Sequence, residues 1–350
     1  RNSNFQNKKM KSINYDPDLL AQKALNEYRS ELLKDHYNNN SSKSLLFDTD
    51  IDYDIINDVL FDCNFESGNI GDITKTKNNE YDIQIRGDNA NKKHSIWFYF
   101  RIKNAIKSQN IILHIYGYSK GKSQLSEGFT PVIRSKTKPM WIRMPNENIN
   151  WFKCNKHKNN CFTISITFET NNDEYYIAYS YPYTYTYLQK FLIEIENLKL
   201  PYVKRYLLAR TVQQRRLDCI RIDDTKNDEN NLEKHVIVIS ARVHPGETPA
   251  SFVCHGFIEF IISNNAIARE LRSKVIIFII PMLNPDGVYI GNYRTTSLGY
   301  DLNRHWQYPN WKEHPTITAL KYLLRQIDSN SYSNLDYYID LHSHTNAYNA

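Results

Sequence analysis

The sequence predicts two domains of different class: an all-β sandwich, followed by an α/β domain with a mostly parallel, doubly wound sheet. The chain has 350 residues, of which 41% are apolar. At about 150 residues per domain, this length suits two domains with sizeable cores. Short β-favouring runs separated by polar turns occupy the first half. After residue 230, near-continuous apolar strands alternate with amphipathic helices.

The two predicted domains follow a segment of different composition. Residues 1–44 are predicted to form a helical, low-complexity segment, because residues 16–34 have leucines near helical spacing and asparagine-rich tracts surround them. We place the β-sandwich at residues 45–183 and the α/β domain at residues 184–350. The α/β domain is expected to be incomplete at its C-terminus.

Six β-favouring runs predict the sandwich. They are YDIQI near residue 82, SIWFYFRI near 95, IILHIYGY near 111, MWIRM near 140, FTISITF near 162 and YYIAYSY near 175. Several short strands between polar turns are typical of this architecture. Residues 184–198 then regain a helical period and are predicted to connect the sandwich to the second domain.

The second domain is predicted from three buried strands and two helices. The strands are HVIVIS at residue 235, VIIFIIP at 275 and YYIDL at 337, and the helices cover residues 249–262 and 315–327. In open α/β sheets, ligands bind beyond the carboxyl ends of the strands. The polar residues that follow these strands are therefore the candidates for a functional site.

Composition excludes several classes of protein. The 44 Lys and Arg residues against 38 Asp and Glu residues give a net charge of +6, a mild bias that is compatible with acidic partners but low for a nucleic-acid-binding surface. No apolar run approaches the roughly 18 to 20 residues that span a bilayer, and no signal peptide is recognisable. The five cysteines are scattered, which fits reduced thiols. We predict a cytoplasmic protein with no nucleic-acid or membrane partner.

A metal site is predicted at the strand ends. His244 and Glu247 lie in HPGE, directly after a buried strand, and His342 follows YYIDL. Imidazole and carboxylate groups suit a catalytic zinc, which takes three protein ligands and one water. The His-x-x-Glu spacing alone also fits an ordinary helix start, where Pro249 and Glu247 favour the helix dipole. His344 competes with His342 as the third ligand.

A polar loop between these ligands carries two arginines. Residues 284–304 are rich in Asn, Pro, Asp and Gly and contain Arg294 and Arg304. Long polar loops at the carboxyl edge of a sheet are usually functional. A guanidinium suits a substrate carboxylate or the oxyanion of a tetrahedral intermediate. Either arginine could instead be a surface residue that pairs with a nearby acid.

The motifs HPGE, NPDGV, NYR, DLNR and DLHSH occur in this order and together resemble the zinc metallocarboxypeptidases. More narrowly, the chain resembles the cytosolic carboxypeptidases, the tubulin deglutamylases. This narrower resemblance rests on ARVHPGETPAS and PMLNPDGVYIGNYR in the second half and on WFYFRI, SEGFTPVI and AYSYPYTYTYL in the first. That family carries a β-sandwich ahead of its catalytic domain. The resemblance covers about residues 80 to 350.

The resemblance implies a role for each candidate residue. One zinc ion (Zn²⁺) would be bound by His244, Glu247 and His342. Arg294 would help to polarise the scissile carbonyl, while Asn303 and Arg304 would bind the terminal carboxylate of the substrate. These roles agree with the chemistry of the groups, since zinc activates water and an exopeptidase needs a carboxylate clamp.

The sequence departs from the family pattern at the general base. The resemblance places this glutamate on a later strand, well downstream of the third zinc ligand, and the sequence continues for only eight residues after His342. Glu313 precedes the third ligand in a predicted helix start and is not a candidate. We therefore expect the sequence to be part of a longer enzyme.

The leading hypothesis is a zinc carboxypeptidase that removes glutamates from acidic protein tails, with polyglutamylated tubulin as the expected partner. One alternative is a zinc amidohydrolase that acts on a small acylated amino acid, as in the aspartoacylase-like enzymes. Another is a non-catalytic protein whose β-sandwich binds a partner and whose zinc site is vestigial.

Overall fold

A computed structural model describes residues 59–119, 128–154, 159–225 and 234–343. These residues form three five-stranded sheets, of which two are in the N-terminal part and one is in the α/β part. The predicted fold class is therefore confirmed. The N-terminal segment, with its predicted helix at residues 16–34, lies outside the described residues. The exact domain boundaries stay predictions.

The described residues of the N-terminal part form ten strands in two sheets. One sheet has the order β1-β4-β10-β6-β7 and the other β2-β3-β5-β9-β8. All neighbouring strands are antiparallel except β3 and β5, which are parallel. The strands are β1 (Leu60–Asp62), β2 (Ile73–Lys77), β3 (Glu80–Gln84), β4 (Tyr99–Lys103), β5 (Asn110–Tyr116), β6 (Val132–Ser135), β7 (Ile142–Arg143), β8 (Ile149–Cys154), β9 (Asn159–Thr167) and β10 (Tyr175–Ala178).

The core of the sandwich lies between these two sheets and is rich in aromatic residues. Phe61 of one sheet contacts Tyr81 of the other with ring centroids 5.1 Å apart, and both rings are buried. The predicted strand near residue 95 begins only at Tyr99. The preceding residues 95–98 are buried without strand pairing. Their β-favouring composition reflects aromatic packing rather than a ladder of hydrogen bonds.

The α/β part is built on a sheet of order β11-β12-β14-β13-β15. The three predicted strands β13, β14 and β15 pair in parallel, whereas β11 and β12 pair antiparallel and make the sheet mixed. The elements are α1 (Tyr185–Asn197), β11 (Val203–Arg210), β12 (Arg216–Ile222), β13 (Lys234–Ala241), α2 (Thr248–Ile262), α3 (Ala266–Lys274), β14 (Val275–Ile280), α4 (Pro285–Tyr289), α5 (Pro315–Asp328) and β15 (Ser333–Leu341), with a 3-10 turn at Leu302–Arg304. A second 3-10 turn, Asn146–Asn148, lies between β7 and β8 of the N-terminal part.

Helices cover both faces of this sheet. On β14, Phe278 packs in a cluster with Leu320 of α5, while its neighbour Ile279 packs in a second cluster with Ile258 of α2. Successive residues of a strand point to opposite faces, so a continuous apolar strand buries side chains on both sides. This arrangement is the doubly wound architecture that the apolar runs predict.

The sandwich contacts the α/β part through backbone groups of α4 and the residues that follow it. Ser67 Oγ donates to Val288 O at 2.7 Å, and the Ser67 amide donates to Tyr289 O at 2.7 Å. Asn69 Nδ2 donates to Gly291 O at 3.0 Å. The two parts therefore share hydrogen bonds that are buried from solvent.

We predict that Gly291→Ala destabilises the protein, because Gly291 has φ +76° and an added Cβ would lie 2.4 Å from Gly68 O. The free energy of unfolding should fall by about 2 kcal/mol or more, as measured by urea denaturation. Gly256→Ala is the matched control: Gly256 lies in α2, and an added Cβ would point into open space. This change should stabilise by about 0.5 to 1 kcal/mol. A Gly291→Ala protein as stable as the wild type would contradict the packing described.

Candidate functional site

The carboxyl ends of β13 and β15 bring the predicted metal ligands together. The two strands are parallel neighbours, with Ala241 opposite Leu341. His244 and Glu247 follow β13, and His342 is the first residue after β15. One ligand atom from each of the three side chains lies within 4.8 Å of the others. The predicted competitor His344 lies outside the described residues.

Contacts with neighbouring loops fix the HPGE turn. The Gly246 amide donates to Tyr293 O at 2.6 Å, and a Cβ on Gly246 would lie 2.3 Å from the Tyr293 ring. Asn284, which follows β14, donates from its Nδ2 to Val243 O at 3.2 Å. Only glycine allows this close approach of the two loops. The turn consequently places Glu247 immediately before α2.

A buried arginine forms hydrogen bonds that support the same turn. Arg242 Nε donates to Pro245 O at 2.8 Å, and its Nη1 donates to Ser251 Oγ at 2.8 Å. Burial lowers the pKa of Arg242 to about 9. The side chain thus connects the turn to the first residues of α2.

Each ligand histidine contacts a carboxylate with each of its ring nitrogens. The Nδ1 atoms of His244 and His342 each lie 2.9 Å from an oxygen of Glu247. On the other side, His244 Nε2 lies 3.0 Å from Asp301, and His342 Nε2 lies 2.9 Å from Asp340. A carboxylate at Nε2 favours protonation there and leaves Nδ1 as the metal-binding atom. Both Nδ1 atoms and the Glu247 carboxylate face one space.

The electrostatics of this cluster favour positive charge. Burial raises the pKa of Glu247, but hydrogen bonds with His244 and His342 lower it by more, so its pKa lies well below the usual range. Hydrogen bonds to Asp340 and then to Glu247 raise the pKa of His342 to about 10. A divalent cation would replace protons on Nδ1, because a ligand histidine must be neutral at the coordinating nitrogen. The donor set of two imidazoles and one carboxylate fits a catalytic zinc.

Arg294 lies beside the cluster. Its Nε donates to Asp301 Oδ2 at 2.8 Å, and the other oxygen of Asp301 contacts His244 Nε2. Burial raises the pKa of Asp301, but hydrogen bonding to His244 and the nearby charges lower it well below the usual range. Among the described residues, the Arg294 guanidinium has no second hydrogen-bond partner. Its two terminal nitrogens can therefore donate to a substrate oxygen.

Asn303 and Arg304 lie in the 3-10 turn that Asp301 caps. Asp301 Oδ1 accepts from the Asn303 amide at 3.0 Å, so one carboxylate connects this turn to His244. Asn303 Oδ1 accepts from Trp306 Nε1 at 2.9 Å, which leaves the Asn303 side-chain nitrogen as its donor. Arg304 is exposed and forms no ion pair within the described part of the chain. Both groups are thus suited to binding a carboxylate.

Two supporting carboxylates were not predicted from the sequence. Asp301 and Asp340 lie within the motifs DLNR and DLHSH, but the motifs alone assign no function to these two aspartates. A signal existed for Asp340: in an extended strand, residues i and i+2 point to the same side, so Asp340 and His342 were placed to interact. Glu313, by contrast, accepts a hydrogen bond from Tyr300 at 2.9 Å and is not among the three grouped metal ligands.

Comparisons with known proteins match both parts of the chain. A family model described as zinc carboxypeptidase matches residues 185–349, and one described as cytosolic carboxypeptidase N-terminal domain matches residues 61–180. Cytosolic carboxypeptidase 6 of Mus musculus is 42% identical over 292 residues, which cover 83% of this chain and 54% of that protein. Its namesake in Caenorhabditis elegans is 43% identical over 289 residues, which cover 82% and 62%.

A solved structure shows the same architecture. A metallo-carboxypeptidase from Burkholderia cenocepacia superposes with a TM-score of 0.69 at 26% identity, covering 82% of this chain and 70% of that one. The fold and the matched family model thus place the chain in the zinc carboxypeptidase class. With both family models matched in order, the chain belongs to the cytosolic carboxypeptidase family.

The chain spans 54% and 62% of the length of the two curated relatives named above. None of the helices in the described part of the chain combines the length and the apolar character that a bilayer crossing requires.

We predict that His244→Ala and His342→Ala each abolish stoichiometric zinc, because either change leaves two protein ligands. Zinc per chain is measured by mass spectrometry after dialysis against a weak chelator. His235→Ala is the matched control, since His235 is exposed on β13, away from the ligands, and contacts Asp336 at 2.9 Å. Full zinc retention in both ligand variants would refute the site.

Proposed function

We propose that the protein is a zinc-dependent carboxypeptidase that removes C-terminal or side-chain-linked glutamates from polyglutamylated proteins such as tubulin, in the cytoplasm. The observation that carries the proposal is the convergence of two Nδ1 atoms and one carboxylate beside an arginine with two available nitrogens. Family membership supports the peptidase chemistry. The glutamate preference rests on the resemblance of the motifs and on the net positive charge.

The site residues divide the reaction into substrate binding and charge stabilisation. Bound at His244, Glu247 and His342, zinc would supply an activated water and polarise the scissile carbonyl. Arg294 would donate to the carbonyl oxygen as negative charge develops there, an interaction typically worth about 3 kcal/mol of barrier. Asn303 and Arg304 would bind the terminal carboxylate and so select the end of a chain.

Asp301 has a separate task in this scheme. It contacts His244 and Arg294 at the same time, and it also caps the turn that carries Asn303. A single carboxylate therefore fixes the relative positions of a metal ligand, the carbonyl-polarising arginine and the carboxylate-binding turn. Such shared support keeps the reacting groups at fixed distances and orientations relative to one another.

We expect the two arginines to affect different kinetic constants. Arg304→Ala should chiefly raise KM, because it removes binding to the terminal carboxylate, whereas Arg294→Ala should chiefly lower kcat by about 100-fold or more. Steady-state kinetics on a glutamate-terminated peptide, with protein made from the complete coding sequence, separates the two. Arg269→Ala, an exposed position of α3, should change neither constant. Reversed effects would mean that the two roles are misassigned.

The function itself is tested with a peptide that ends in several glutamates. Protein from the complete coding sequence is incubated with it, with and without a zinc chelator, and the products are weighed by mass spectrometry. Stepwise, chelator-sensitive loss of single glutamates is the expected result.

The other outcomes point to the alternatives. Bound zinc without loss of glutamate would favour hydrolysis of a small acylated amino acid. Absence of both zinc and hydrolysis would overturn the enzyme assignment in favour of a binding protein. A peptide of the same length that ends in lysines is the matched substrate control for the acidic preference.

A further inference from the structure

We propose that Asp88 of the β-sandwich is a positioning residue for Arg294, so that the N-terminal domain takes part in orienting the active site. This inference rests on the proposed function, in which Arg294 polarises the scissile carbonyl. The observation behind it is a buried carboxylate of one domain that accepts hydrogen bonds from consecutive backbone amides of the other.

Asp88 accepts four hydrogen bonds from three consecutive residues. Its Oδ1 accepts from the Tyr293 amide at 2.6 Å, and its Oδ2 accepts from the amides of Arg294 and Thr295 at 2.8 Å each. The Thr295 hydroxyl adds a fourth hydrogen bond at 3.0 Å. Asp88 is only 2% exposed. Hydrogen bonds to an ionised acceptor are stronger than neutral ones, so this carboxylate strongly restrains the Arg294 backbone.

The sandwich loop that carries Asp88 is itself fixed on the α/β part. The Asn89 amide donates to Asn292 Oδ1 at 2.9 Å, and Asn91 Nδ2 donates to Gly299 O at 3.2 Å. The Asp88 amide donates to His94 O at 2.9 Å within its own loop. Hydrogen bonds therefore restrain the loop that carries the Asp88 carboxylate.

The restrained segment contacts the metal-binding turn on its other side. Tyr293 O accepts from the Gly246 amide of the HPGE turn at 2.6 Å, while the Arg294 side chain reaches Asp301. The peptide from which Arg294 projects thus lies between a carboxylate of the sandwich and the turn that carries His244. A displacement of about 1 Å at such a position can cost about 100-fold in rate.

A carboxylate is needed because each of the four groups that hydrogen-bond to the Asp88 side chain is a donor. In Asp88→Asn the new NH₂ would face an N–H group, which loses one or two hydrogen bonds and adds a repulsive contact. The side chain keeps its size and shape. The variant therefore changes the restraint on residues 293–295 with little change in volume.

The experiment compares Asp88→Asn with Asp173→Asn in protein from the complete coding sequence. Asp173 is the matched control, because it is also buried in the sandwich and accepts backbone amides, but from Thr137 and Glu174 of its own domain. We expect Asp88→Asn to lower kcat by about 10- to 100-fold with KM and zinc content nearly unchanged. Asp173→Asn should lower the unfolding temperature and leave kcat intact.

A double-mutant cycle separates positioning from general damage. In an Arg294→Ala background, Asp88→Asn should lower kcat no further, because the residue that it positions is gone. An equal loss of kcat in both backgrounds would overturn the proposal, as would an unchanged kcat in the single variant. If Asp88→Asn does not fold, Thr295→Val removes one of the four donors and should lower kcat several-fold in the same pattern.

Hydrogen exchange tests the inference without any enzymatic activity. The amides of residues 293–295 should exchange faster in Asp88→Asn than in the wild type or Asp173→Asn, and unchanged exchange would overturn the positioning role. If the wild-type protein cleaves no glutamate peptide, the proposed function fails. The exchange measurement still decides whether Asp88 restrains this segment.

Discussion

The parallel pairing of β13 with β15 is the constraint on which the site depends. Glu247 and His342 are 95 residues apart in the chain, yet their side chains meet because the two strands end at the same edge. Alternate residues of β13 are fully buried on one face, so the hydrophobic core resists a change of register. A slip of one residue would turn His342 to the opposite face of the sheet. Burial of apolar strands therefore sets the geometry of a polar site.

A continuous chain of polar contacts extends from this edge. It alternates between acceptors and donors, so that each histidine lies between two carboxylates and each carboxylate has more than one partner. The order of the side chains is Arg294, Asp301, His244, Glu247, His342, Asp340 and Ser240. Such a network fixes the ring orientation of both histidines. Ligands that are oriented in advance lose less conformational entropy when they bind.

The sequence predicts those parts of the fold and the site that local patterns encode. His244 and His342 directly follow apolar strands and could be placed at one edge. Strand β12 was not predicted because Arg216, Asp218 and Arg221 interrupt its apolar pattern. The burial of Asp218 is compensated by Arg205 of β11, whose Nε lies 3.0 Å from it. No local sequence pattern indicates the role of Asp88, since the amides that donate hydrogen bonds to it lie more than 200 residues away in the chain. Long-range polar pairing depends on the complete tertiary structure.

The shared hydrogen bonds between the sandwich and the α/β part also limit how the sequence can diverge. Backbone amides and carbonyls of α4 and of the residues that follow it take their partners from Ser67, Asn69 and Asp88. A buried polar group without a partner costs about 1 to 3 kcal/mol. Backbone groups cannot be exchanged by substitution. The side chains of the sandwich must therefore keep the ability to form these hydrogen bonds. The two domains must therefore evolve as one unit, and a sandwich transplanted from an unrelated protein would leave the loop that carries Arg294 without its framework.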